Sequence, residues 1–266
     1  MERPSAFFQH DKAATAALRQ FVSSASFQTP SVTNISAWAD HAPFAFWLVS
    51  AARPECVVEL GVYHGFSYLV LCQAAAALDR PPRCFGVDNW VGDEHSGFYG
   101  DDVYHRLKNY HDARYYGFSE LIRASFDDAL PSVPDGSIDL LHIDGRHFYE
   151  DVKQDFEAWG PKLSDRAVVL FHDTNVRERD FGVWKLWEQL SCQFPAMEFL
   201  HGYGLGVLGY GSSLPDPLLQ LFAAAKDEEL VHAIRGVYAR LGAISKERVR
   251  FLIEADEHAG WRESGG

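Results

Sequence analysis

Cysteine is scarce in this sequence. Its 266 residues hold four, Cys56, Cys72, Cys84 and Cys192, with no C-x-x-C pair among them. A disulfide scaffold and a paired-cysteine zinc site are thereby excluded. Each thiol sits in an apolar stretch and reads as a small buried hydrophobe of a reducing compartment. Positive charge is also short: 24 Lys and Arg face 37 Asp and Glu, a formal charge of −13. So acidic a surface repels phosphate backbones and anionic lipid, which argues against nucleic acid or a membrane surface as partner. No run approaches the roughly 20 apolar residues of a membrane span. Met1–His10 holds acid, base and Pro4 but no apolar core, so no secretory signal is read there. A cytoplasmic protein is the expectation. What is plentiful is core-forming material, 47% hydrophobic and 14% aromatic. That composition and length fit one α/β domain with extensions, or at most two domains.

Short apolar runs alternate with helical patterns after residue 50. Cys56–Leu60 reads as a strand ending at Gly61, and Ser67–Leu78 as a helix with Leu71, Ala74, Ala75 and Leu78 on one face. Further strands are read at Cys84–Val87, Leu121–Ala124, Ile138–Ile143 and Ala167–Phe171, and helices at Tyr149–Trp159 and Val183–Leu190. Met197–His201 and Leu205–Leu208 add two strands joined by Gly202-Tyr203-Gly204. The alternation predicts a doubly wound, mostly parallel seven-stranded α/β sheet with helices on both faces. Leu140–Ile143 and Val168–Phe171 have the near-continuous apolar character of doubly buried central strands.

Residues 51–212 are read as the catalytic domain. Residues 1–50 form a helical N-terminal extension, with apolar residues at helical spacing over Ala13–Val22 and a dense aromatic segment from Trp38 to Val49. Residues 213–266 form a helical tail, whose face of Leu230, Ile234, Val237 and Leu241 has no assigned partner and could pair subunits. A homodimer is the expectation. Residues 89–116, rich in Gly, Asp, His and Tyr, read as a long loop serving as a substrate lid.

Ligands of open parallel sheets bind at the carboxyl ends of strands, where strand order reverses. The polar residues here fall at those ends. Glu59 and Gly61 close the first strand, Asp88 the second, Asp144 the fourth, and His172 and Asp173 the fifth. Any one of them could be a cap or turn residue; together they mark a ligand site. His142 shares a strand face with Asp144 but reads as a satisfied core histidine. Trp184 and Trp187 read as helix core, and Asp93-Glu94-His95 with Asp101-Asp102 as solvated acidic loop.

The turn Glu59-Leu60-Gly61-Val62-Tyr63-His64-Gly65 resembles motif I of class I S-adenosylmethionine-dependent methyltransferases, with Tyr63 in the middle glycine's place. The run IDLLHIDGRHFYEDVKQDFEAW from Ile138, followed by PKLSDRAVVLFHDTNV, resembles the metal-dependent O-methyltransferases of that class (the methyltransferase family 24 type). These include enzymes that act on sugar hydroxyls of natural products and surface polysaccharides. The likeness covers about residues 35–210. It implies a Rossmann-like class I fold and S-adenosylmethionine as cofactor. Gly61 and Gly65 would let the backbone approach the cofactor, with Tyr63 and Ser67 beside them. Glu59 would meet the cationic amino group, Asp88 the ribose hydroxyls, and Ser125 and Phe126 the adenine.

The resemblance also implies a divalent metal held by Asp144, His172 and Asp173. Relatives carry an acid where this chain has His172, so the ion could be Mg²⁺ or a softer one such as Mn²⁺. Alternatively, His172 is no ligand and Asn175 or water completes the shell. His147, three residues after Asp144, stands where sugar O-methyltransferases place a general base. Imidazole titrating near pH 6.5 is free to accept a proton at neutral pH, while a cation on the acceptor oxygen lowers that oxygen's own pKa. The expected acceptor is a small molecule or glycan. Two other readings stay open: a metal-dependent hydrolase using Asp144, His147, His172 and Asp173, and a non-catalytic binding module.

Overall fold

The glycine turn leaves an interior strand, beside the central one of a seven-stranded sheet. In the computed structural model, residues 17–263 are described, with 33 and 35 excepted and side chains followed to residue 255. The strands are β1 (Cys56–Leu60), β2 (Arg83–Asp88), β3 (Ser119–Arg123), β4 (Ile138–Ile143), β5 (Leu163–His172), β6 (Ala196–Phe199) and β7 (Leu205–Gly209). They lie in the order β3-β2-β1-β4-β5-β7-β6. All neighbouring pairs from β3 to β5 are parallel, and β7 runs antiparallel to both β5 and β6. The predicted doubly wound sheet is therefore present. Its order reverses between β1 and β4, which opens a crevice at their carboxyl ends.

Alternation along the central strands builds two cores. Leu140 and Leu170 point to one face, Leu141 and Val169 to the other. The first face carries α1 (Ala42–Ala52), α2 (Phe66–Ala76) and α3 (Asp101–Tyr115). The second carries α4 (Tyr149–Trp159) and α5 (Val183–Ser191), through Val152, Phe156, Trp159, Leu186 and Trp187. Local chemistry sets the helix ends. Arg53 takes a left-handed conformation and Pro54 follows, which stops α1. Gly65, also left-handed, starts α2 directly out of the glycine turn.

Four sequence expectations are corrected. Residues 89–116 are not a plain loop: a short hairpin, Gly92–Asp93 with Gly97–Phe98, is followed by the 15-residue α3. The tail forms α6 (Asp216–Ala224) and α7 (Glu228–Glu263), and its apolar face does have a partner. Ile234, Tyr238 and Val249 are buried in the first core, and Tyr238 donates to the Phe21 carbonyl. Cys192 is exposed, unlike the other three thiols. Trp184 is half-buried, donating to the Phe181 carbonyl, while Trp187 alone is core. Part of the helix read over Ala13–Val22 lies outside the described residues, as does Met1–His10. Among the described residues, no helix is long and apolar enough to cross a membrane.

Candidate active site

A cavity of about 640 Å³ opens above the break between β1 and β4. One wall is the turn after β1. Gly61, Tyr63 and Gly65 all have positive φ, at 89°, 51° and 84°. The backbone there passes so close to β4 that a Cβ on Gly61 would stand 2.1 Å from the Asp144 carbonyl oxygen. Tyr63 is held in its left-handed conformation by Asp88. Asp88 Oδ2 accepts the N–H groups of Val62 (2.9 Å) and Tyr63 (2.8 Å), and Oδ1 accepts that of Trp90 (2.7 Å). Burial pushes the Asp88 carboxyl up, and those donated bonds oppose the shift. A carboxylate offers about four lone-pair sites, so three bonds leave room for one ligand contact.

Beneath this turn lies a buried polar chain. Ser67 Oγ donates to Glu59 Oε1 (2.7 Å), and His142 Nδ1 lies 2.8 Å from Glu59 Oε2. Glu59 is fully buried and does not line the cavity, whereas Ser67 does. The segment ahead of α1, assigned to an extension by sequence, supplies Asn34, Ser36 and Trp38 to the wall. Asn34 Nδ2 donates to the His64 carbonyl at 3.4 Å.

The far end of the cavity is formed by Ser125, Phe126 and Asp155. Ser125 caps the turn after β3, accepting the Asp128 N–H at 3.1 Å. Burial, with Asp151 and Asp127 nearby, pushes the Asp155 carboxyl up to about 7. An acid raised in the folded state weakens the fold as pH climbs above the unfolded value near 4, with the loss complete above 7. Asp155→Asn is therefore expected to raise the melting temperature at pH 8 by roughly 3 °C or more, and to leave it unchanged at pH 4. Equal shifts at the two pH values in a thermal melt would refute the assignment.

Between the two ends stand the groups of β4 and β5. Asp144, His147 and Asp173 offer ligand atoms that all lie within 4.8 Å of one another. His147 Nε2 is 3.0 Å from Asp173 Oδ2 and 3.7 Å from Asp144 Oδ1. His172 Nε2 donates to the Gly202 carbonyl at 3.2 Å, which turns Nδ1 toward Asp144 (3.3 Å) and Asp173 (3.5 Å). Burial works against the charges, but the pairing wins. The imidazoles hold Asp144 far below the usual carboxylate range and Asp173 at about 2. Burial lowers the His147 pKa, but the two carboxylates outweigh it and push it up to about 9. His147 is thus not the freely basic imidazole that its unperturbed pKa suggested. Its ring stacks on Phe181 at 4.5 Å and meets His95 from the hairpin at 5.3 Å. His95 and Arg179 bond each other reciprocally through their side chains and carbonyls, at 2.9 and 3.0 Å.

Residues 58–174 match a family described as "Methyltransferase domain". The matched span holds the glycine turn from Gly61, Asp88, Asp144, His147, His172 and Asp173. It is 53% identical over 194 residues to an uncharacterized protein of Sinorhizobium fredii, y4gI; the match takes in 73% of this chain and 21% of that protein. The chain thus spans about a fifth of that relative's length. Among solved structures it resembles a candidate caffeoyl-CoA O-methyltransferase from Staphylococcus aureus, at 14% identity and a TM-score of 0.50, covering 76% of this chain and 94% of that one. A methyltransferase from Geobacter sulfurreducens is similar at 17% identity and a TM-score of 0.49, over 80% and 92% of the two chains.

Most sequence-predicted site residues meet around one cavity. Gly61, Tyr63, Gly65, Ser67, Asp88, Ser125, Phe126, Asp144, His147, His172 and Asp173 all line it. Glu59 stands behind the wall. Asn175, the alternative ligand, is exposed and donates to the Leu200 carbonyl instead. Sequence reading missed Trp38, Asp155, and the His95 and Phe181 that flank His147. A histidine inside an acidic hairpin was the one available signal, and it was read as solvated loop.

Proposed function

We propose that this domain moves the methyl group of S-adenosylmethionine to a hydroxyl oxygen of a small-molecule or glycan acceptor, with His147 as the base. One observation carries the reading: Asp144, His147 and Asp173 converge on the cavity wall that also holds the glycine turn. The cofactor's adenine would lie by Ser125 and Phe126 and its ribose by Asp88. Its amino-acid end would lie by Ser67, where the first N–H groups of α2 suit a carboxylate. Transfer is an in-line displacement. The acceptor oxygen bonds to the methyl carbon as the carbon–sulfur bond breaks, and the hydroxyl proton passes to His147 Nε2. Asp173, 3.0 Å away, holds the imidazolium that results. Equilibrium binding tests the cofactor assignment: S-adenosylmethionine should bind the purified chain at micromolar concentration, and no binding at millimolar concentration would refute it.

The donor set fits a divalent cation. Neighbouring ligands on an ion with bonds of about 2.1 Å stand about 3 Å apart, and His172 Nδ1 stands 3.3 Å from Asp144 Oδ1 and 3.5 Å from Asp173 Oδ1. His172 gives its Nε2 proton to a backbone carbonyl, which is how metal-ligating histidines are commonly oriented. Asp144, Asp173 and His172 Nδ1 would hold the ion. When bound it supplies Lewis acidity to the acceptor oxygen. Two oxygens and an imidazole suit Mn²⁺ better than Mg²⁺. Titration calorimetry is expected to show Mn²⁺ binding that Asp173→Asn weakens at least about tenfold, and exhaustive chelation is expected to stop turnover. Full activity after chelation would remove the ion from the scheme.

A glycan acceptor rests on the sequence resemblance alone. The net charge of −13 supports a neutral acceptor over a phosphorylated one. Arg146 lines the cavity but is already paired with Glu94 (3.0 Å) and Asp151 (3.2 Å).

A further inference from the structure

We infer that Trp38 is a positioning residue for the ammonium end of the cofactor, acting through His142, Glu59 and Ser67; this rests on the cofactor reading above. Trp38 Nε1 donates to His142 Nε2 at 3.2 Å, across 104 residues of sequence. An indole N–H can only donate, so that imidazole nitrogen must accept. The neutral ring then carries its proton on Nδ1 and donates it to Glu59 Oε2 at 2.8 Å. Ser67 Oγ donates to the other carboxylate oxygen at 2.7 Å. All four residues are buried, so water does not compete for these bonds. Each link therefore has one direction.

The direction has a consequence at the cavity wall. Glu59 accepts at both oxygens, and these two bonds favour its anion against the burial that pushes its pKa up. Ser67 spends its only proton inward, so its lone pairs face outward into the cavity it lines. A hydroxyl lone pair backed by a buried carboxylate receives a cationic ammonium well and a neutral group poorly. Without the indole N–H, His142 can adopt the other tautomer. Nδ1 then no longer donates, Glu59 Oε2 is left without its partner in a buried site, and the carboxylate that turns the Ser67 hydroxyl inward is no longer held in place. Trp38 belongs to the segment ahead of α1, so that segment sets cofactor selectivity rather than merely covering the core.

Two ligands separate this role from ordinary packing. S-adenosylhomocysteine carries the ammonium, and 5′-methylthioadenosine lacks the whole amino-acid end. Equilibrium binding to Trp38→Phe is expected to weaken at least about tenfold for the first and by less than about threefold for the second. The same contrast is read independently from His142. His142→Leu should behave as Trp38→Phe does. His142→Gln, whose amide can accept from Trp38 and donate to Glu59, should keep both ligands within about threefold. Equal weakening of both ligands, or of neither, in the variants would overturn the positioning role. Failure of the unaltered protein to bind either ligand would instead overturn the cofactor reading.

Discussion

Replacing His147 by Ala is expected to lower turnover by about 10²- to 10⁴-fold, the usual range for losing a positioned general base. Binding of S-adenosylmethionine should stay within about threefold, because the base meets the acceptor and not the nucleoside. The ring stands in one place for several reasons. It stacks on Phe181, touches His95, and points Nε2 at Asp173 and Asp144. Its Nδ1 has no protein partner and is buried, so nothing else fixes the tautomer from behind. A sugar hydroxyl is a far weaker acid than imidazolium; a base shifted up to about 9 narrows that gap but accepts a proton only from its neutral form, so turnover should rise with pH toward 9. Single-turnover rates with saturating cofactor, beside cofactor Kd, check the assignment. Unchanged turnover in His147→Ala would show that the acceptor loses its proton elsewhere.

The same shift makes a pH statement. His147 has a folded pKa of about 9 against an unfolded value near 6.5. The ion pair thus stabilises the fold fully below pH 6.5, and its contribution, on the order of 3 kcal/mol, is lost as pH rises to 9. In Asp173→Asn, one of the two carboxylates responsible is gone, so the imidazole should titrate nearer 6.5. Proton resonances of His147 in the cation-free protein report this directly. A titration near 6.5 in the unaltered chain would contradict the pairing.

The fold was legible where burial writes a local pattern. Leu140–Ile143 and Val168–Phe171 are apolar enough to be central strands in any context, and the acids after them had to lie at the sheet's carboxyl edge. That edge is where the site is. Helix α3 was not legible. Its buried face is Val103, Leu107, His111 and Tyr115, one residue per turn, and two of those four are polar enough to pass for loop. Trp38 was missed for a different reason. Its partner His142 is 104 residues away, and no periodicity encodes a pairing made only when the sheet and the preceding segment meet. The charge state of His147 was hidden likewise, since one of the carboxylates that sets it arrives from β5. Residue types at strand ends can be read from sequence; what they do to each other's protons depends on distances that only the fold supplies.

Gly61→Ala is expected to abolish cofactor binding and lower the melting temperature by about 10 °C. The added Cβ would stand 2.1 Å from the Asp144 carbonyl oxygen and 2.8 Å from the Gly145 nitrogen. Those atoms are backbone at the end of the central strand, so no side-chain rotation can relieve the contact. Forcing β1 and β4 apart there costs about 1–3 kcal/mol as overpacking, and the φ of 89° adds roughly 1–2 kcal/mol for any residue with a Cβ. At about 2–4 °C per kcal/mol for a chain of this size, the fall reaches the stated range. Gly97→Ala separates the two causes. Gly97 has nearly the same φ, 82°, but a Cβ there would meet nothing within 4 Å. It should lose only the conformational part, a few degrees, and bind cofactor normally. The melting temperatures of the two variants and their S-adenosylmethionine Kd values then isolate the close approach itself. If Gly61→Ala melted with Gly97→Ala and kept its affinity, the glycine would be serving the turn's shape alone. The contact with Asp144 would then have no part in holding the turn against the site.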